Sequence, residues 1–252
     1  MRFLGLTQRN LREILRDRQY LIVLLAMPAV LIVFMSQIFK GLGGPPGPEG
    51  NGAPDFMSLE RITMGMTVFA LLWLMTLAAG KIAGDKETGY LRRLRTTPTR
   101  AVEFVIGYSI PTILVSIFQI LFVFGVALLL GLTWRENTYL VLLVLFLCGF
   151  SSISLGMILS SFTSNREQVE GITLLILFPL AFLSGAFMPV EILPSWASAI
   201  GSATYTGQAI TAGVSVLVDN AGLETIIPEL RNLGIWAGSL FLLGVLCFRR
   251  NI

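Results

Sequence analysis

ITMGMTVFALLWLMTLAAG, residues 62–80, runs without a charge and passes directly into KIAGDKETGYLRRLRTTPTR, residues 81–100. A bilayer core about 30 Å thick needs about 20 apolar residues at about 1.5 Å each, so the first string has the length of one membrane-spanning helix. The second string abruptly introduces Lys81, Asp85, Lys86 and Glu87, then Arg92, Arg93, Arg95 and Arg100. Such a change marks the boundary between hydrocarbon and water. The same test, carried outward along the chain, decides the fold class.

Five further stretches free of Asp, Glu, Lys and Arg are apolar and long: 19–39, 104–134, 137–165, 171–190 and 232–248. The chain is 54% hydrophobic and 13% charged, where a soluble domain carries about 25% charged residues. These observations predict an all-α membrane protein with six transmembrane helices in a single domain, residues 1–252. The first stretch is long enough to span and lacks the form of a secretory signal, so it is expected to stay. An uncharged seventh stretch, 192–218, is rich in Gly, Ser, Thr, Ala and Pro instead of Leu and Ile. It makes a poor lipid-facing span and is expected to be a re-entrant or surface segment.

Basic residues near span ends remain on the cytoplasmic side, so their distribution sets sidedness. Arg2, Arg9, Arg12, Arg16 and Arg18, the loop 81–100, Arg166, Arg249 and Arg250 put fourteen of the 18 Lys and Arg on one side. Lys40, Arg61, Arg135 and Arg231 fall on the other. Both termini are therefore expected in the cytoplasm, which requires an even number of spans. The net charge of +3 arises at membrane boundaries without an aromatic stacking platform, so no nucleic acid is expected.

Residues 1–18 place Leu4, Leu11 and Leu15 on one helical face, with Phe3 and Ile14 beside it and arginines opposite, the pattern of an amphipathic interfacial helix on membrane lipid. Its arginines suit anionic headgroups or a cytoplasmic partner. The Gly- and Pro-rich segment between Lys40 and Arg61 reads as an outer loop. The third stretch exceeds one bilayer thickness and is expected to tilt or kink at Pro111. Gln119 lies near its middle, where an amide must find a partner: a central path and an interhelical hydrogen bond both supply one. Met64 and Ser152 are the other candidates along such a path, and both residue types equally serve helix packing. Cys148 and Cys247 fall inside spans and read as packing residues. Residues 186–231 form an outer segment in which Gly185, Pro189, Pro194 and Trp196 suggest short re-entrant helices with aromatics at headgroup level.

Several functions are disfavoured. The chain has no GxxxxGK[ST] string, so any ATP is expected on a partner. It has no histidine, which removes a Ser-His dyad, an HExxH zinc site and a histidine proton relay; no metal site and no catalytic residue is expected. The six stretches contain no charge at midplane depth, which weakens ion-coupled transport, although sodium held by backbone carbonyls would escape that argument.

The stretch 81–100 carries the sharpest signal. By composition it is a short amphipathic helix broken at Thr88-Gly89. As a string, Glu87, Thr88, Gly89, Leu91, Leu94, Thr97 and Pro98 resemble the cytoplasmic loop of ABC-2 type transporter permeases, of the daunorubicin-resistance-like exporter group. Gly185, Phe187, Pro189, Leu193, Pro194 and Trp196 resemble that family's outer motif, whereas Ala203, Thr204 and Tyr205 stand where it commonly has Asn-Pro. The resemblance implies a cell-membrane exporter subunit, bacterial or archaeal, that moves an amphiphilic drug, antibiotic or lipid. It implies two permease copies, identical or closely related, and two ABC ATPase subunits that hold ATP and Mg. It further implies that Glu87, Thr88, Gly89, Leu91, Arg92, Arg93, Leu94 and Arg95 engage the ATPase through a helix over 87–94. The competing reading is a secondary carrier or channel without an ATPase.

Overall fold

The computed structural model describes residues 2–41, 58–94, 101–188 and 190–251. Arg95, Thr97, Pro98, Arg100, Pro189 and the loop 42–57 lie outside the described residues, as do the side chains of Arg92 and Leu94.

The described chain is helical, in the order α1 (Arg2–Arg16), α2 (Arg18–Gly41), α3 (Leu59–Glu87), α4 (Tyr90–Leu94), α5 (Ala101–Leu129), α6 (Thr138–Ser161), α7 (Arg166–Leu183), α8 (Ser195–Ala203), α9 (Tyr205–Asp219) and α10 (Leu223–Asn251). Among the described residues, five helices are long and apolar enough to cross a membrane: α2, α3, α5, α6 and α10. The stretch expected as a fifth span behaves differently. Helix α7 begins in charge, with Arg166, Glu167 and Glu170, and stops at Leu183 because Gly185 turns the chain at φ +88°.

Helix α3 is the axis of the molecule. Its best 18-residue window is 94% buried, against 22% for those of α2 and α10. Lipid is as apolar as leucine, so burial in a membrane follows close packing more than hydropathy. Accordingly α3 offers Gly65, Ala70, Ala78, Ala79 and Gly80 to its neighbours. A Cβ on Gly156 of α6 would stand 2.3 Å from the Met75 carbonyl oxygen, so only glycine lets α6 lie this close to α3. The α6 serines behave as small residues: Ser151, Ser152 and Ser154 each donate to the carbonyl four residues back, at 2.8, 3.1 and 2.8 Å. Cys148 is fully buried and fills the same interior. Ile22, Val30 and Phe34 on α2 and Ile235, Leu242 and Leu246 on α10 are exposed, as lipid-facing side chains are.

Three expectations need correction. Residues Lys81 to Glu87 are the last two turns of α3 and not a loop. The turn comes at Thr88 and Gly89, where φ of +69° requires glycine, and α4 starts only at Tyr90. The inward face of α1 is Leu6, Asn10 and Ile14, against α5, while Leu15 is 56% exposed. The stretch 192–218, expected as a re-entrant or surface segment, divides in two: α8 is largely exposed, whereas α9 is buried among α3, α6 and α10. Thr204, where the family has Asn-Pro, caps α9 by accepting a 3.1 Å hydrogen bond from the Gly207 N–H.

Candidate functional site

The C-terminal end of α3 is a polar hub, because consecutive residues on a helix point about 100° apart and so reach different neighbours. Asp85, Lys86 and Glu87 illustrate this. The buried Asp85 carboxylate accepts two bonds from the Arg9 guanidinium of α1, at 3.0 and 2.6 Å, and a third from the Tyr108 hydroxyl of α5. Lys86 Nζ donates to the carbonyls of Ser160, Ser161 and Thr163, the last two at 3.3 Å, and so satisfies the C-terminal end of α6. Glu87 accepts from the Arg166 N–H at 3.2 Å, placing a negative charge at the N-terminus of α7.

Arg9 ties this hub to α4. Its guanidinium lies 3.8 Å from the Tyr90 ring centroid at the first residue of α4, and it also meets Glu13 at 3.5 Å. Burial pulls the Arg9 pKa down, but the hydrogen bond and charge of Asp85 more than offset it, so the net shift is upward. Arg9 therefore remains cationic. Arg166 is raised chiefly by its 2.7 Å hydrogen bond to Glu170. Of the proposed ATPase contacts, Leu91 is buried, whereas Glu87, Thr88 and Arg93 are exposed at the turn.

The three path candidates are all buried. Gln119 Nε2 donates to the Leu24 carbonyl at 3.2 Å and the Ala70 carbonyl at 3.3 Å, bridging α5 to α2 and α3. Met64 packs on Gly213, where a Cβ would come within 2.0 Å of its terminal methyl. Ser152 meets the Tyr205 hydroxyl at 3.2 Å.

At the N-terminal end of α3 the packing is steric. Gly185 makes its turn, Ala186 follows, and a Cβ on Gly65 would stand 2.1 Å from the Ala186 carbonyl oxygen. Phe187 sits between Phe69 and Phe182, with centroids 5.0 Å away on both sides. Pro194 precedes α8 as its cap, and Trp196 is 65% exposed. Beside these lies a cavity of ≈ 330 Å³ lined by Met35, Arg61, Met66, Phe187, Val214 and Asp219 among others. Gln119, Met64 and Ser152 do not line it.

Sequence reasoning named Arg9 and Asp85 only as charges at the membrane boundary and passed over Asn10 and Tyr108. The available signal was Asp85 itself, a carboxylate one turn from an apolar run.

These features define a polytopic helical membrane protein built around one buried span, with a charged hub at one end of that span. The chain belongs to the ABC-2 type transporter family, whose sequence profile matches residues 1–217. It is 26% identical over 206 residues to the daunorubicin resistance ABC transporter permease protein DrrB1 of Streptomyces coeruleorubidus, covering 80% of this chain and 70% of that one. It is 23% identical over 199 residues to the inner membrane transport permease YhhJ of Escherichia coli K12, covering 78% and 52%. To the linearmycin resistance permease protein LnrN of Bacillus subtilis it is 23% identical over 207 residues, covering 80% and 51%. The chain thus spans about half the length of the latter two relatives.

Proposed function

We propose that this chain is the transmembrane subunit of an ATP-driven exporter that moves an amphiphile outward across a bacterial or archaeal cell membrane. In this reading α7 is a sixth span, α8 and α9 re-enter from the outside, and both termini are cytoplasmic. Two permease copies work with two ABC ATPase subunits, which hold ATP and Mg. The ATPase seats α4 and the Thr88-Gly89 turn, with Glu87, Arg92, Arg93 and Arg95 as polar contacts and Leu94 as a packing contact, whereas Leu91, expected from the sequence to pack on the ATPase, is buried in this chain's own core and anchors α4.

The observation that carries this reading is the hub. A push on α4 reaches Arg9 through Tyr90, and through Arg9 and Asp85 it reaches α1, α3 and α5. Lys86 and Glu87, on the same turn of α3, pass it to α6 and α7. One short helix can therefore move the inner ends of five others, which is what a mechanically driven permease needs. The family relatives named as permeases of drug and linearmycin resistance support an amphiphilic cargo.

The test is purification with the ATPase encoded beside this chain. A stoichiometric two-plus-two complex that hydrolyses ATP is expected. A chain that binds no candidate ATPase, yet moves solute in vesicles under an ion gradient, would contradict the proposal and favour a secondary carrier.

A further inference from the structure

Among the described residues, four helices carry a proline inside an unbroken run, and two of these prolines are buried: Pro28 in α2 and Pro111 in α5, whereas Pro179 in α7 and Pro228 in α10 are exposed. A proline has no N–H, so the carbonyl four residues before it loses its helical donor. At the two buried prolines those carbonyls belong to Leu24 and Gly107. Each receives a side-chain amide from a neighbouring helix: Gln119 Nε2 donates to Leu24 at 3.2 Å, and Asn10 Nδ2 donates to Gly107 at 3.3 Å.

The two sites share their construction. Both amides are buried, Gln119 fully and Asn10 to 2% exposure. In both, the amide oxygen is buried without a partner among the described residues, so the N–H is the part of the group in use. Close approach is arranged as well: a Cβ on Gly107 would stand 2.7 Å from Leu6 Cδ2, so glycine there admits α1 to the exposed carbonyl. A buried amide with half its bonding unmet is a poor packing choice, and it recurs where a proline has freed a carbonyl.

We propose that Gln119 and Asn10 are positioning residues that act as replacement donors at two proline hinges, holding α2 and α5 in register while leaving each able to bend. The hinge role in transport rests on the permease reading; the amide–carbonyl pairing does not. Gln119 is the stronger latch, because it also bonds the Ala70 carbonyl and so ties three spans together.

A double-mutant cycle separates this pairing from ordinary packing. In the 252-residue chain in detergent, Gln119→Leu is expected to lower the unfolding midpoint by about 5 °C, the scale of the two buried hydrogen bonds it removes. Pro28→Ala restores an N–H to the Leu24 carbonyl, so in that background the same substitution should cost about half as much, the bond to Ala70 being lost in both. Equal losses in the two backgrounds would overturn the pairing. If Gln119→Leu does not fold, Asn10→Leu with Pro111→Ala asks the same question at the second site.

The hinge has its own readout that needs no export. Ile22 and Phe34 are exposed and flank Pro28, so spin labels at these positions, with Cys148 and Cys247 replaced by alanine, report the bend of α2. Gln119→Leu should broaden the distance distribution and Pro28→Ala should narrow it. Coincident distributions would overturn the hinge. In vesicles with the ATPase, Pro28→Ala should lower the maximal export rate severalfold at an unchanged half-saturating substrate concentration. A wild-type chain without ATP-dependent export would sink the permease reading alone, leaving the cycle and the label distances to decide the latch.

Discussion

The two ends of α3 are held by different physics. At its C-terminal end, the inner one in the proposed orientation, Asp85, Lys86 and Glu87 reach out through charged hydrogen bonds to α1, α5, α6 and α7. At its N-terminal end, the outer one in that orientation, the contact is backbone against glycine, Gly65 of α3 on Ala186, and the helices beyond it pack the same way: Gly201 of α8 on Leu183 of α7, and Gly207 of α9 on Gly201. A charged hydrogen bond tolerates a shift of direction and can be remade, whereas a carbonyl pressed on a glycine has no room to move. The inner end is built as a joint and the outer end as a fixed seat.

If that contrast holds, substitutions should rank accordingly. The largest effect is expected at the seat. A Cβ on Gly201 would lie 1.7 Å from the Leu183 carbonyl oxygen, so Gly201→Val should cost about 3 kcal/mol or more through overpacking, seen as lost expression or a collapsed unfolding midpoint. A wild-type midpoint would show that the outer end yields.

Next comes Asp85→Ala, which strands Arg9 and Tyr108. Because the Arg9 side chain is 34% exposed, solvent offsets part of the loss, and about 2 kcal/mol is expected in detergent unfolding. Smaller is Lys86→Met, which removes a donor from the last carbonyls of α6 and should cost about 1.5 kcal/mol, with faster amide exchange confined to that helix end. Exchange that rises throughout the molecule would mean that Lys86 does more than close α6. Smallest in stability is Glu87→Gln, at about 0.5 kcal/mol for an exposed charge at a helix start; its effect should fall on export instead.

Much of this architecture was legible in the sequence, and the misses have physical causes. Charge-free stretches located α2, α3, α5 and α6 because the cost of burying charge is set by composition alone. The same rule misplaced the ends of α7 and α10. Arg166, Glu167 and Glu170 are helical in α7, and Glu229 and Arg231 are helical in α10, because helices continue past the apolar boundary. The burial of α9 was hidden since Gly, Ala and Thr look alike in a loop and in a tight interface. The inward face of α1 was only partly legible because its deciding residue is a polar one, Asn10, whose partner is the Gly107 carbonyl, 97 residues away in sequence and freed by Pro111. Long-range hydrogen bonds of this kind leave no local period. Of the coupling segment, Gly89 announced the turn correctly through its need for positive φ.

The central claim is that motion enters through the Thr88-Gly89 turn and α4. It is tested most directly by Glu87→Ala combined with Gly89→Pro, which removes a polar contact and forbids the φ of +69° that the turn requires. Reconstituted with its ATPase, this variant is expected to assemble yet lose both substrate export and stimulated ATP hydrolysis. Export and stimulated hydrolysis at wild-type rates would contradict the account.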